Sequence, residues 1–174
     1  EYVCFDINPY AADPLSGYAR GTLEQLFKAC IIAGPLANND TTIMRIHESG
    51  IPYLAFGRLE SLPECSCSTV NYEEGAYIST RFLLERGHRR IAMLKGMEGY
   101  YPAVERYRGY TRALAEAGIA VDESLIRAVD FTSRNIANMV HRLLADTTVT
   151  ALVDCSATED GYGLREGMRR AGRV

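Results

Sequence analysis

Apolar residues along this chain change their spacing repeatedly, from the three-to-four-residue period of a helix to short unbroken runs bounded by glycine or proline. Residues 75–110 show the alternation most clearly. Ala76, Ile78, Phe82 and Leu83 recur at helical spacing, and Gly87 supplies the left-handed cap that ends a helix. Ile91 to Leu94 is too short for a helix and reads as a strand buried in the middle of a sheet. It emerges at Lys95-Gly96 into a loop of Gly99, Tyr100, Tyr101 and Pro102. Arg106 then falls in the first turn of a helix running from Ala103 to Ala117.

The same grammar extends in both directions. Tyr2 to Ile7 reads as a strand and Leu15 to Ala29 as a helix with Leu23, Leu26 and Phe27 on one stripe. That helix meets the strand-like run Ile31-Ile32-Ala33 with no turn residue between, although a reversal into a parallel neighbour takes about two to six residues. A break in the chain is therefore expected between Cys30 and Ile31. Asn38, Asn39 and Asp40 offer an N-cap to a helix carrying Ile43, Met44 and Ile46, which Gly50 caps and Pro52 ends. Tyr53 to Phe56 is the next strand, with Gly57 and Arg58 at its carboxyl end. A polar connector over 59–68 then leads to a short strand at Thr69 to Asn71. Farther on, Leu125 to Val129 and Val149 to Val153 read as strands. Ser133 caps a helix presenting Ile136, Met139, Val140, Leu143 and Leu144, and a last helix closes at Gly172. Helices that stop at Gly50, Gly87, Gly118 and Gly172, usually with an apolar strand close behind, make a repeated strand–helix unit. The expected fold class is α/β, with parallel sheet and helices on both faces.

Composition narrows the function. A chain of 174 residues, 47% hydrophobic, can bury one good core or two small ones. No apolar run approaches the roughly 18 residues of a membrane span, and Glu1-Tyr2-Val3-Cys4 has neither a basic region nor a cleavage site, so neither membrane insertion nor export is expected. A net charge of −3, with Arg scattered among Glu, argues against this piece gripping nucleic acid alone. The five cysteines form no framework, which favours a reducing compartment and free thiols, and Cys65-Ser66-Cys67 lacks the further ligands of a zinc site.

Enzyme signatures are scarce. The chain has no metalloprotease, nucleophile-elbow or phosphate-loop motif. Gly161-x-Gly163-x-x-x-Gly167 has the wrong spacing for a dinucleotide fingerprint, and helix packing explains it better. His47, His88 and His141 lie far apart with no nucleophile beside them; His88 reads as a capping or packing residue. Neither a catalytic residue nor a cofactor is assigned. The loops at strand ends instead gather Asn8, Tyr10, Asp13, Asn38, Asn39, Asp40, Arg58, Tyr100, Tyr101, Arg106, Asp130, Phe131, Ser156, Thr158 and Asp160. Aromatic rings suit the apolar face of a sugar, and carboxylate, amide and guanidinium groups read paired hydroxyls. Taken singly, each of these residues reads first as a turn former or a surface-loop residue; for Arg106 the alternative is a surface pairing with Glu105 or Asp13, and its place at a strand end favours the ligand role over it.

The ordered string GAYISTRFLLERGHRRIAMLKG over residues 75–96, then Arg106-x-x-Gly109-Tyr110 and Ala113-Leu114-x-x-Ala117-Gly118, closely resembles the effector-binding core of the lactose/galactose-repressor (LacI/GalR) family of bacterial transcription regulators. The resemblance implies two doubly wound, parallel-sheet lobes of the periplasmic-binding-protein-like type I architecture, truncated at both ends. It places a first lobe over 1–95 and an incomplete second over 96–174, with the DNA-binding helix-turn-helix outside this chain. It implies a small effector, a sugar or sugar-like molecule, held between the lobes, with operator DNA bound through the absent domain, a homodimer and a cytoplasmic location. Arg106 matches the family's ligand-reading arginine, and the expected ligand set is Arg106, Tyr10, Asp13, Arg58, Tyr100, Tyr101, Phe131, Thr158 and Asp160. The pattern departs after Thr150-Ala151-Leu152-Val153, where the usual Asn-Asp pair is missing and its acidic member is absent or displaced to Asp160; Asn71 stands where many relatives carry Asp. The alternatives are an exported sugar-binding protein of a transporter and, behind it, an α/β enzyme acting on a sugar or nucleotide.

Overall fold

The computed structural model describes residues 28–33, 41–129, 133–155 and 161–173. Two compact units divide at Val70/Asn71. The first contains strand β1 (Cys30–Ala33), helix α1 (Thr41–Ser49), β2 (Tyr53–Phe56) and β3 (Cys67–Ser68), with all three strands parallel in the order β1-β2-β3. Cys30 and Ile31 pair consecutively with Tyr53 and Leu54, so the strand crosses the peptide where the sequence suggested a break. Ile32 and Ala55 turn to one face, where Ile43 and Ile46 of α1 cover them; Ile31, Leu54 and Phe56 turn to the other and are exposed. The connector over 59–68 is less polar than its composition suggests. Leu59, Leu62 and Cys65 are buried in this core, and the short strand begins at Cys67 rather than Thr69, because Cys67 and Ser68 fall in register with Ala55 and Phe56.

The second unit contains α2 (Tyr72–Glu85), β4 (Ile91–Gly96), α3 (Tyr101–Glu116), a 3-10 turn (Glu123–Leu125), β5 (Ile126–Ala128), α4 (Ser133–Ala145), β6 (Ala151–Asp154) and α5 (Tyr162–Arg170). Its parallel sheet has the order β5-β4-β6. Strand β4, at the border where the second lobe was expected to begin, is therefore the central strand of this unit, and 71–95 pack with it. Alternation along β4 feeds two cores. Ile91 and Met93 pack with Leu84, Tyr110, Ala113 and Leu114 of α2 and α3, whereas Ala92 and Leu94 pack with Ile136, Val140, Leu143 and Leu144 of α4.

Helix α2 buries Ala76, Thr80 and Leu84, a strict i, i+4, i+8 row; Ile78 and Phe82, placed on the apolar stripe by spacing alone, are exposed. The inward row is chosen by helix α3. Gly109 of α3 lies directly against the Glu73 carbonyl, and a Cβ there would also meet the Tyr77 nitrogen at 2.8 Å. Glycine thus lets two backbones meet, and the Tyr110 hydroxyl next to it donates to the Ile91 carbonyl at 2.7 Å. On the opposite face, a Cβ at Gly167 of α5 would meet the Val140 Cβ at 2.5 Å and the Ala137 carbonyl at 2.7 Å. The glycine series in this last helix therefore serves helix packing.

At the amino ends of the strands, Arg90 donates to Asp122 at 3.1 Å and Asp146 at 2.9 Å. Asp146 also accepts from the Thr148 hydroxyl and backbone nitrogen; these two bonds, with Arg90 behind them, lower its pKa to about 2. His88 sits at the same end with Nδ1 2.9 Å from the Thr150 hydroxyl, and its backbone nitrogen donates to the Leu83 carbonyl.

Gly109→Ala gains helix propensity of roughly 1 kcal/mol but overpacks against backbone that cannot yield, so denaturant unfolding should show a net loss of about 1–3 kcal/mol. Gly75→Ala, in the same helix pair but with open space around it, should instead gain about 0.5–1 kcal/mol. For Asp146 the folded pKa lies below the unfolded one, so its stabilisation is complete above the ordinary carboxylate pKa and is lost as pH falls through about 2. Melting temperatures of wild type and Asp146→Asn should differ at neutral pH and converge in strong acid.

Candidate functional site

In the second unit, β4 leads through α3 to β5 on one side, while β6 lies on the other. The carboxyl ends of β4 and β6 therefore flank a topological switch point, where open α/β sheets bind ligands. Arg106 is built into that place. Its Nη1 donates to the Cys155 carbonyl, just beyond β6, at 2.9 Å. Its guanidinium carbon lies 4.8 Å from the centre of the Tyr72 ring, at the start of α2. Gly96 ends β4 at φ +88°, and a Cβ there would crowd the Cys155 carbonyl at 3.2 Å and Arg106 Nη1 at 3.6 Å. The glycine makes room for the arginine as well as turning the chain.

Helix packing explains why these groups converge. Arg106, Gly109 and Arg112 lie three residues apart on one face of α3. Gly109 touches Glu73, Arg112 donates to Glu73 and Glu74 at 2.6 and 2.7 Å while its guanidinium carbon lies 3.8 Å from the Tyr77 ring centre, and Arg106 reaches Tyr72. Asn71 caps α2 by accepting from the Glu74 nitrogen at 3.0 Å, a role that the family's usual Asp would fill equally well.

The other expected ligand residues are distributed as follows. Tyr100 is the N-cap of α3 and Tyr101 its first residue; both are half-buried, following β4 on the helix that carries Arg106. Arg58 is exposed in the first unit, just past β2. Tyr10, Asp13, Phe131, Thr158 and Asp160 lie outside the described residues, as do Asn8, Asn38, Asn39, Asp40, Asp130 and Ser156. Glu105, the alternative partner of Arg106, is instead engaged by Arg108. Tyr72 and Cys155 were not among the expected residues. Tyr72 had a signal that went unused, an aromatic at the first turn of a helix that follows a strand; the Cys155 contribution is a backbone carbonyl, which no side-chain pattern reveals.

Burial pushes the Cys155 thiol up to about 11, the neighbouring Asp154 adding to the rise and Arg106 opposing it. Cys30, Cys65, Cys67 and Cys155 are free thiols. Among the described residues, no cluster of three His, Cys, Asp or Glu could hold a metal ion, and no helix is long and apolar enough to cross a membrane.

A family model described as periplasmic binding proteins and sugar binding domain of LacI family matches residues 7–174. The chain belongs to this family. Among its relatives, the HTH-type transcriptional regulator CelR of Thermobifida fusca is 32% identical over 140 residues, 79% of this chain and 41% of that protein. A structure titled as a complex of CelR with cellobiose matches with a TM-score of 0.79 at 32% identity, over 92% of this chain and 48% of its own. The PurR repressor of Vibrio atlanticus is 52% identical over 56 residues, 32% of this chain and 17% of its own. CcpA of Lactococcus lactis matches with a TM-score of 0.75 at 25% identity, over 87% of this chain and 55% of its own. The chain thus spans about half or less of the length of these regulators.

The site makes one chemical prediction. Because alkylation needs the thiolate, Cys155 should label slowly at pH 8 and faster as pH rises toward about 11. Arg106→Met should move that rise to higher pH, read by peptide mass spectrometry across a pH series.

Proposed function

We propose that this chain is the effector-sensing core of a transcription regulator of the LacI family, taking a small sugar or sugar-like ligand at the carboxyl ends of its strands. The observation that carries the reading is Arg106, fixed at the switch point by the Cys155 carbonyl and the Tyr72 ring. A guanidinium so held reads adjacent oxygens at little entropic cost. Tyr100 and Tyr101 on the same helix supply apolar faces of the kind that pyranose rings stack on. Tyr10, Asp13, Arg58, Phe131, Thr158 and Asp160 remain candidates for completing the ligand shell.

The relatives support this reading over its rivals. They are named as transcription regulators, and one was solved with cellobiose. Transmission requires the ligand to bind two conformational states unequally, since equal affinity shifts nothing. Operator DNA would be read by a domain outside this chain, in a cytoplasmic homodimer. Binding rather than turnover fits the site, where Cys155 contributes a backbone carbonyl and a thiol that burial pushes up to about 11.

Calorimetric titration with a panel of mono- and disaccharides tests the proposal. One sugar class should bind, and Arg106→Met should weaken it about 10–100-fold, the loss of charge-assisted hydrogen bonds worth about 1.5–3 kcal/mol, while leaving the melting temperature nearly unchanged. A panel with no binder, together with Arg106→Met leaving operator regulation intact, would overturn it.

A further inference from the structure

Cys30, Cys65 and Cys67 gather on the core of the first unit. Cys67 lies across from Ala55 in the register of β2 and β3, and residues paired across neighbouring strands share a face. Its side chain therefore turns to the side that Ile32 and Ala55 occupy. Cys65, two residues earlier, is buried in that same core. Cys30 reaches the core from β1, where it pairs with Tyr53. Strands β1 and β3 flank β2, so two strand spacings, about 9.5 Å, part Cys30 from Cys67. That is beyond the roughly 7 Å between Cα atoms that a disulfide can span. Cys65 and Cys67 have only Ser66 between them, and each feels the other. Burial raises the Cys65 thiol above its ordinary pKa, and the charge of Cys67 and a hydrogen bond with it add to the rise.

The backbone between the two thiols sets what joining them does. The exposed Ser66 accepts from the Ala55 nitrogen through its carbonyl at 2.9 Å, and the Ser68 carbonyl accepts from the Gly57 nitrogen at 3.0 Å. In extended chain, residues two apart stand about 6.6 Å from each other, at the outer limit of the separations a disulfide accepts. Bonding the sulfurs therefore bows Ser66 and draws its carbonyl away from Ala55. Strand β3 is two residues long and, among the described residues, pairs with β2 alone, so little else holds it. We propose that Cys65 and Cys67 are a reversible redox pair whose disulfide releases strand β3 from β2. The oxidant is a hydroperoxide. Cys67, half-buried, is the more accessible sulfur, and as a thiolate it attacks one peroxide oxygen. The O–O bond breaks, and the departing hydroxide takes the proton that the thiol released and leaves as water. Cys65 then attacks the Cys67 sulfenic acid. The S–O bond breaks, and its hydroxide leaves with the Cys65 proton as a second water. The two sulfurs give up two electrons, and one peroxide becomes two waters. A thiol reductant opens the bond by exchange, and the regained hydrogen bonds of β3 favour that return.

The test exposes the purified protein to graded hydrogen peroxide, alkylates the remaining thiols and maps tryptic peptides. The peptide over residues 59–81 carries both cysteines. It should lose two hydrogens and escape alkylation at lower peroxide than Cys30 or Cys155 reacts, and dithiothreitol should reverse the change. In the oxidised protein the Ala55 and Gly57 amides should exchange hydrogen at least ten-fold faster. The Val129 and Cys155 amides, which donate to β4, should keep their rates. Cys65→Ser should leave Cys67 as a sulfenic acid that dimedone captures. If Cys65→Ser does not fold, the wild-type peptide map and amide exchange decide alone. A pair that stays open to alkylation, oxidation of Cys30 or Cys155 ahead of it, a disulfide to Cys30, or a Cys65–Cys67 bond that leaves both amides protected would each overturn the inference.

Discussion

Helices α2 and α3 can meet as they do because position 109 has no side chain. Gly109 brings the backbone of α3 against the Glu73 carbonyl, and every neighbour of that contact follows from it. One turn before it, Arg106 is delivered over Tyr72; one turn after it, Arg112 is delivered onto Glu73, Glu74 and Tyr77. Tyr110 locks the crossing to the sheet through the Ile91 carbonyl. The sequence R-x-x-G-Y is thus three instructions on one helix face: an arginine set over Tyr72, a clearance and an anchor. A side chain at 109 would open the helix pair and separate the arginine from its ring.

The central strand β4 connects that helix pair to the rest of the unit. Buried on both faces and flanked by β5 and β6, it divides the unit into two cores by the alternation of Ile91 and Met93 against Ala92 and Leu94. Its two ends have separate tasks. At the amino ends of the strands, Arg90, Asp122 and Asp146 form a screened network whose effect is on stability. At the carboxyl ends, Gly96 gives way to a guanidinium that the Cys155 carbonyl and the Tyr72 ring orient.

Much of this was legible from residue order. The alternating elements, their glycine stops and the α/β class are carried by local signals, and the resemblance to the LacI family rests on an ordered string rather than on any one motif. Other features depend on tertiary contact. Spacing alone put Ile78 and Phe82 inward, because it cannot say which stripe of an amphipathic helix will meet a neighbour; Gly109 chose the row of Ala76, Thr80 and Leu84. Leu59, Leu62 and Cys65 are buried within a connector whose composition looks polar. At the site, Arg106 was visible in the sequence, Tyr72 was visible but unweighted, and the Cys155 carbonyl had no sequence signal at all.

The central claim is that a ligand is read by the guanidinium lodged between Tyr72 and Cys155. Nitrogen-15 NMR of the arginine side chains during a sugar titration tests it most directly. The Arg106 Nε signal should move in step with occupancy, while that of Arg112, closed by two glutamates, stays in place. A ligand that saturates the protein while the Arg106 signal does not shift would contradict the account.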